Sequence, residues 1–226
     1  MTVDEVISLL AQEYGPRPWR ARRDPISELI FTILSQNTSD VNSQRAFSRL
    51  LSRFDSWEAV ANAPVEEIAE SIWAGGLARV KAPRLKNILK AIWEKRGSLE
   101  LDFLRDMPLS DAKAWLRELP GVGPKTAACV LLFSLGVPAL PVDTHVYRVA
   151  RRLGLIDPKV SVEEAHDLLE AMLMPDQVYE FHVYVVEHGR RTCMARRPRC
   201  PRCVLREGCP SSVIYMPLWE RLEGKM

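Results

Sequence analysis

The stretch LPGVGPKTAACV, residues 119–130, sets a lysine one residue into an apolar run, behind two glycines and a proline. Upstream, DAKAWLREL reads as a helix, and downstream PKTAACVLLFSL reads as another. PGVG between them is too short to do anything but reverse the chain. Gly121 and Gly123 allow positive φ values and close backbone approach. Pro124 suits a first helical position, where its missing N–H costs nothing. A helix N-terminus with little side-chain bulk in front of it suits a phosphate, although a tight connector between core helices would use the same residues. Lys125 adds a second question. Its helix is apolar nearly all round (Ala127, Ala128, Val130, Leu131, Leu132, Phe133), so the helix is expected to be buried. Desolvation and the positive pole of the helix both disfavour an ammonium there, so its pKa is expected to be pushed down. A lysine so placed is a candidate nucleophile for imine chemistry; a lysine that snorkels to solvent is the alternative.

Working outward, the chain reads as helix after helix. Thr2 and Glu5 stand in capping-box spacing before VISLL, and Ser161 and Glu164 repeat the pattern. Asp24 is expected to cap a helix with Pro25 in its first turn and Ile26, Leu29, Ile30, Ile33 and Leu34 on one face. APRLKNILKAIWEK follows the same logic, with Pro83 expected first and Leu85, Ile88, Leu89 and Ile92 aligned. Asp143 opens DTHVYRVARRLG, where it is expected to cap a helix that Gly154 ends. No convincing alternating run marks a strand. The expected class is all-α. The apolar tail around Val213, Ile214, Tyr215, Leu218 and Trp219 is expected to pack back on the body or to meet a partner.

The 226 residues are 47% hydrophobic and 27% charged, an ordinary globular composition. No run approaches the roughly 18 apolar residues of a membrane span, and the acidic N-terminus lacks a signal-peptide pattern, so no membrane association is expected. The expected location is the cytoplasm. Net charge is only +2, but seven arginines and no acid fall between Arg190 and Arg206. Such a run is either a solvated face or a nucleic-acid surface. Four of the five cysteines lie in the same region as C-x6-C-x2-C-x5-C: Cys193, Cys200, Cys203 and Cys209. An odd cysteine count in such a chain favours metal ligation over a disulfide framework. Zinc modules usually pair two short C-x2-C knuckles, whereas only one is present here; zinc and an iron–sulfur cluster both stay open on spacing alone.

LPGVGPKTA followed by PVDTH resembles the helix-hairpin-helix and downstream aspartate of the endonuclease III family of DNA glycosylases, over roughly residues 22 to 209. The resemblance implies two helical lobes with a DNA-binding cleft between them: residues 22–137, and residues 1–21 with 138–226. It implies a catalytic lysine at Lys125 and a catalytic aspartate at Asp143. The cysteine spacing matches the family's [4Fe–4S] loop at every interval. The implied activity is a bifunctional glycosylase/AP lyase of base excision repair, acting on oxidised or damaged pyrimidines in double-stranded DNA or on abasic sites. A lysine nucleophile would attack C1′ of a flipped nucleotide, and β-elimination would cut the strand. A glycosylase for deaminated or mismatched pyrimidines, and a non-catalytic DNA-binding protein with a cluster, are the competing readings.

The hairpin residues Gly121, Val122 and Gly123 are then expected to grip the DNA backbone. SQNTSD resembles the family's inserting glutamine loop; Asn37 aligns with the glutamine, whereas Gln36 keeps its residue type. GGLARVKAPR resembles the other inserting loop, with Leu77 as an apolar wedge and Arg79 and Lys81 as phosphate contacts. Arg196, Arg197, Arg199 and Arg202 would present a basic surface between the cluster ligands. Pro124 departs from the pattern, since many members carry a basic residue there. The family precedent is a monomer.

Overall fold

The computed structural model describes residues 1–215; Leu218 and Trp219 lie outside them. Eleven α-helices, with short 3₁₀ and π segments, make up the described residues, and no strand occurs among them. Contacts divide the chain into two compact units, one of Arg20–Val137 and one of Met1–Trp19 with Pro138 onward.

In the Arg20–Val137 unit, α2 (Pro25–Ser35) is the central helix and packs on α3 (Asp40–Arg53), α6 (Ala78–Arg96) and α8 (Pro124–Val130). The Asp24 side chain caps α2 through the Ser27 amide, and Pro25 sits in the first turn. Ile26, Leu29, Ile30, Ile33 and Leu34 are all buried, as the 3.6-residue period requires. The smaller helices α4 (Trp57–Asn62), α5 (Val65–Ser71) and α7 (Leu109–Arg117) complete this unit. Two details differ from the sequence reading. Helix α6 begins at Ala78, so Pro83 lies inside it rather than at its start. The helix after the hairpin is α only as far as Val130; Leu131–Leu135 continue as a π turn that Gly136 closes in the left-handed conformation.

In the other unit, α11 (Gln177–Arg191) packs between α1 (Val3–Tyr14) and α9 (Thr144–Leu153). Both capping boxes form: Thr2 with Glu5 on α1, and Ser161 with Glu164 on α10 (Val162–Glu170). Tyr184, fully buried on α11, donates its hydroxyl to the Gly15 carbonyl at 3.1 Å, and Arg17 pairs with Glu187 at 2.9 Å. Helices α9 and α11 touch closely at Gly189, where an added Cβ would stand 2.9 Å from the Cβ of His145. In the described part of the tail, Val213 and Ile214 are exposed and do not pack down, while Tyr215 lies under the Arg152 guanidinium at 4.6 Å.

Candidate functional site

The hairpin is built as a tight reversal. The Val122 amide donates to the Leu119 carbonyl at 3.1 Å, and Gly121 takes φ 77°. A side chain at Gly121 would also strike Arg84, whose Nε lies 2.8 Å from an ideal Cβ position. Val122 turns its side chain into the core and spends its amide on the turn, which corrects its expected role as a backbone-gripping residue; Gly121 and Gly123 are what the hairpin presents. Gly123 caps α8 without a side-chain bond, and Pro124 follows at the first position.

Lys125 stands half-buried in the first turn of α8. One turn on, Cys129 is buried; burial raises its thiol pKa, opposed by the charge of Lys125 and a hydrogen bond from it. From α2, Glu28 is 3% exposed and accepts from Arg23 at 2.9 Å. Burial raises the Glu28 carboxyl above its ordinary value, while the Arg23 hydrogen bond and the charges of Arg23, Arg22 and Lys125 pull it down. The amine therefore sits in the first turn of a buried, otherwise apolar helix, with the Glu28 carboxylate within electrostatic range.

Asp143 caps α9: its Oδ1 accepts from the amides of His145 and Val146, each at 2.8 Å. Both bonds fall on one oxygen, so capping leaves the second oxygen's lone pairs for other chemistry. His145 beside it accepts from Arg148 through Nδ1 at 3.0 Å, and burial lowers its pKa.

Asn37 and Leu77 are the only non-glycine residues with positive φ among those described, at 53° and 52°. Asparagine tolerates that region; leucine does so only under strain, which structures keep where a side chain must be displayed. Both are exposed, Leu77 at 53%. Gln36 is half-buried instead, its Oε1 accepting from Arg84 at 2.7 Å, so Asn37 is the residue turned outward. Arg79 is exposed. Lys81 corrects the sequence expectation. It is 2% exposed, and its ammonium donates to the carbonyls of Leu34 at 2.6 Å and Gly75 at 3.0 Å. It cannot reach a phosphate; it fastens the end of α2 to the turn before Leu77.

Cys193, Cys200, Cys203 and Cys209 line one cavity with Arg152, His188 and Tyr215, and all four are free thiols. Burial raises the thiols of Cys200 and Cys209 and pushes Cys203 up to about 12. Arg152 spans the loop, donating to Cys193 Sγ at 3.3 Å, the Met194 carbonyl at 2.8 Å and the Ala195 carbonyl at 2.9 Å. Arg148, one turn earlier, donates to the Cys193 carbonyl at 3.0 Å. His188 Nε2 lies 3.5 Å from Cys203 Sγ, and its Nδ1 meets the Tyr14 hydroxyl at 3.0 Å. Among the described residues, no three His, Cys, Asp or Glu side chains gather as they would around a single ion. Four cysteine thiols around one cavity are a donor set that a metal group would take. Arg196, Arg197, Arg199 and Arg202 are all exposed around this loop.

Sequence reasoning missed Arg84, Arg148 and Arg152. Only the i, i+4 spacing of the last two on α9 signalled a shared face.

A model of the HhH-GPD superfamily of base excision DNA repair proteins matches residues 30–175. The endonuclease III of Thermotoga maritima is 36% identical over 206 residues, 90% of this chain and 92% of that one. The chain belongs to the endonuclease III family. It is an endonuclease III-like DNA glycosylase of base excision repair. An Arabidopsis thaliana protein designated a DNA glycosylase is 38% identical over 72% of this chain, which spans 55% of that protein's length. A solved complex of endonuclease III with DNA superposes with a TM-score of 0.81 at 29% identity, covering 96% of this chain and 99% of the other. No helix among the described residues is long and apolar enough to cross a membrane.

Proposed function

We propose that this endonuclease III family member is a bifunctional DNA glycosylase/AP lyase that removes oxidised or ring-damaged pyrimidines from double-stranded DNA. The observation that carries the reading is Lys125: an amine at the first turn of a buried helix, directly behind a glycine hairpin. The damaged nucleotide leaves the base stack, because C1′ is inaccessible within a duplex. The unprotonated Lys125 amine attacks C1′, and the glycosidic electron pair leaves with the base. The sugar ring opens to a protonated Schiff base on Nζ. Loss of a C2′ proton then expels the 3′ phosphate, and water hydrolyses the imine to free the lysine. Asp143 stabilises positive charge on the sugar as the base departs and takes a proton from the attacking amine. Gly121 and Gly123 hold the backbone, and Asn37 and Leu77 fill the space that the flipped nucleotide vacates.

Cys193, Cys200, Cys203 and Cys209 would hold a [4Fe–4S] cluster, which supplies a rigid anchor for a short basic loop. Arg148, Arg152 and His188 position that loop from α9 and α11. Arg196, Arg197, Arg199 and Arg202 add salt-sensitive backbone contacts. The enzyme acts as a monomer on DNA in the cytoplasm or nucleoid.

The test is strand scission on duplexes carrying thymine glycol, a G·T mismatch or an abasic site, with Lys125→Gln alongside. Cleavage of the first and third that the variant loses supports the reading. Base release without scission on any substrate contradicts it.

A further inference from the structure

The segment that carries Leu77 also carries Trp73, at 73% exposure one of the two most exposed large apolar side chains among the described residues. Nothing in the mechanism above uses it. Trp73 opens a 3₁₀ turn, Trp73–Gly75, that ends against the left-handed Leu77. Val80, in the first turn of α6, is 53% exposed as well. Three large apolar side chains thus stand in solvent within eight residues.

The surrounding charge says what kind of partner fits. From Ser71 to Trp93 the sequence holds no Asp or Glu, and of its basic residues Arg79 and Lys90 are exposed, whereas Lys81 is buried. Apolar side chains in an acid-free, basic segment match a ligand with π-faces and a negative backbone. The turn is also fixed in place. Lys81, buried, grips Gly75 within the Trp73 turn and Leu34 at the end of α2, three residues before Asn37. One ammonium therefore ties the Trp73–Leu77 loop to the Asn37 loop. The backbone that carries Trp73 is thus fastened beside the loop of Asn37.

We propose that Trp73 is a base-stacking residue of the DNA interface, its indole covering a base left without a stacking neighbour beside the position that Leu77 fills. This rests on the insertion reading of Leu77 and Asn37 given above. Exposure of the side chain means that its removal leaves the core intact.

The experiment uses the full chain with Trp73→Ala and Trp73→Phe. Binding is measured by anisotropy to an intact duplex and to one with a single tetrahydrofuran abasic site. Trp73→Ala is expected to weaken the abasic-site complex about 5- to 100-fold, with much less effect on the intact duplex, and Trp73→Phe to restore most of the loss. An alanine variant within about twofold of wild type on the abasic-site duplex overturns the proposal and leaves the apolar patch to a protein partner. Equal weakening on both duplexes, or no rescue by phenylalanine, overturns it too. The parent reading fails separately: wild type would then show no preference for the abasic-site duplex at all.

Discussion

Replacing Lys81 with methionine keeps the stem of the side chain and removes its ammonium. The wild-type amine makes two hydrogen bonds, at 2.6 Å to Leu34 and 3.0 Å to Gly75, in a site where the residue is 2% exposed. Leu34 belongs to the last turn of α2, which has no basic residue of its own, so Lys81 also supplies the cation that this helix end favours. A hydrogen bond from a charged donor contributes about 1.5–3 kcal/mol, and desolvation of the ammonium offsets part of the pair. Burial and the neighbouring Arg84 charge both lower the amine's pKa, the signature of that offset. The net loss is then about 2 kcal/mol, or roughly 4–8 °C in Tm for a chain of this size. Thermal melting by circular dichroism measures it. A second readout separates the internal fastener from a phosphate contact: the slope of log K for DNA against log salt. The slope should not change, even if affinity falls. A Tm within about 1 °C of wild type, or a slope shallower by about 0.9, would refute the reasoning.

Glu28→Gln should alter the pH dependence of stability. The buried carboxyl has a raised folded pKa, so the native state binds more protons than the unfolded one above the unfolded value, and stability is lost as pH rises through the folded pKa. Urea denaturation from pH 4.5 upward should therefore fall more steeply for wild type than for the variant, and parallel curves would contradict this. Replacing Arg197 and Arg199 together by glutamine should reduce the salt slope of DNA binding by up to about 1.8, two phosphate contacts at about 0.9 each, with little change in melting. An unchanged slope would return these arginines to the role of a solvated face.

Much of this was legible because it is local. The caps at Thr2, Asp24, Asp143 and Ser161, the Gly121 turn and the Pro124 helix start each depend on a few adjacent residues, and all stand where the sequence places them. Lys81 was misread because exposure is a tertiary property: an amine on α6 meets carbonyls from α2 and from the preceding turn, which no local pattern encodes. Pro83 misled for a related reason. A proline favours a helix start but does not forbid an earlier one, and the start of α6 at Ala78 has no side-chain cap to announce it. Between Gln36 and Asn37, residue type and alignment pulled apart; the decision came from backbone φ and from Arg84, which draws the glutamine inward. The cysteine spacing was visible, whereas Arg152, which bonds a cysteine sulfur and two loop carbonyls, could not be told from any other arginine of α9.

The central claim is that Lys125 is the nucleophile. Borohydride trapping on a duplex with a single thymine glycol tests it most directly, with Lys125→Gln run beside the wild type. Reduction of the Schiff base should join wild-type protein covalently to the DNA and leave the variant unlinked. Release of the base by the wild-type enzyme without any covalent adduct would contradict the account.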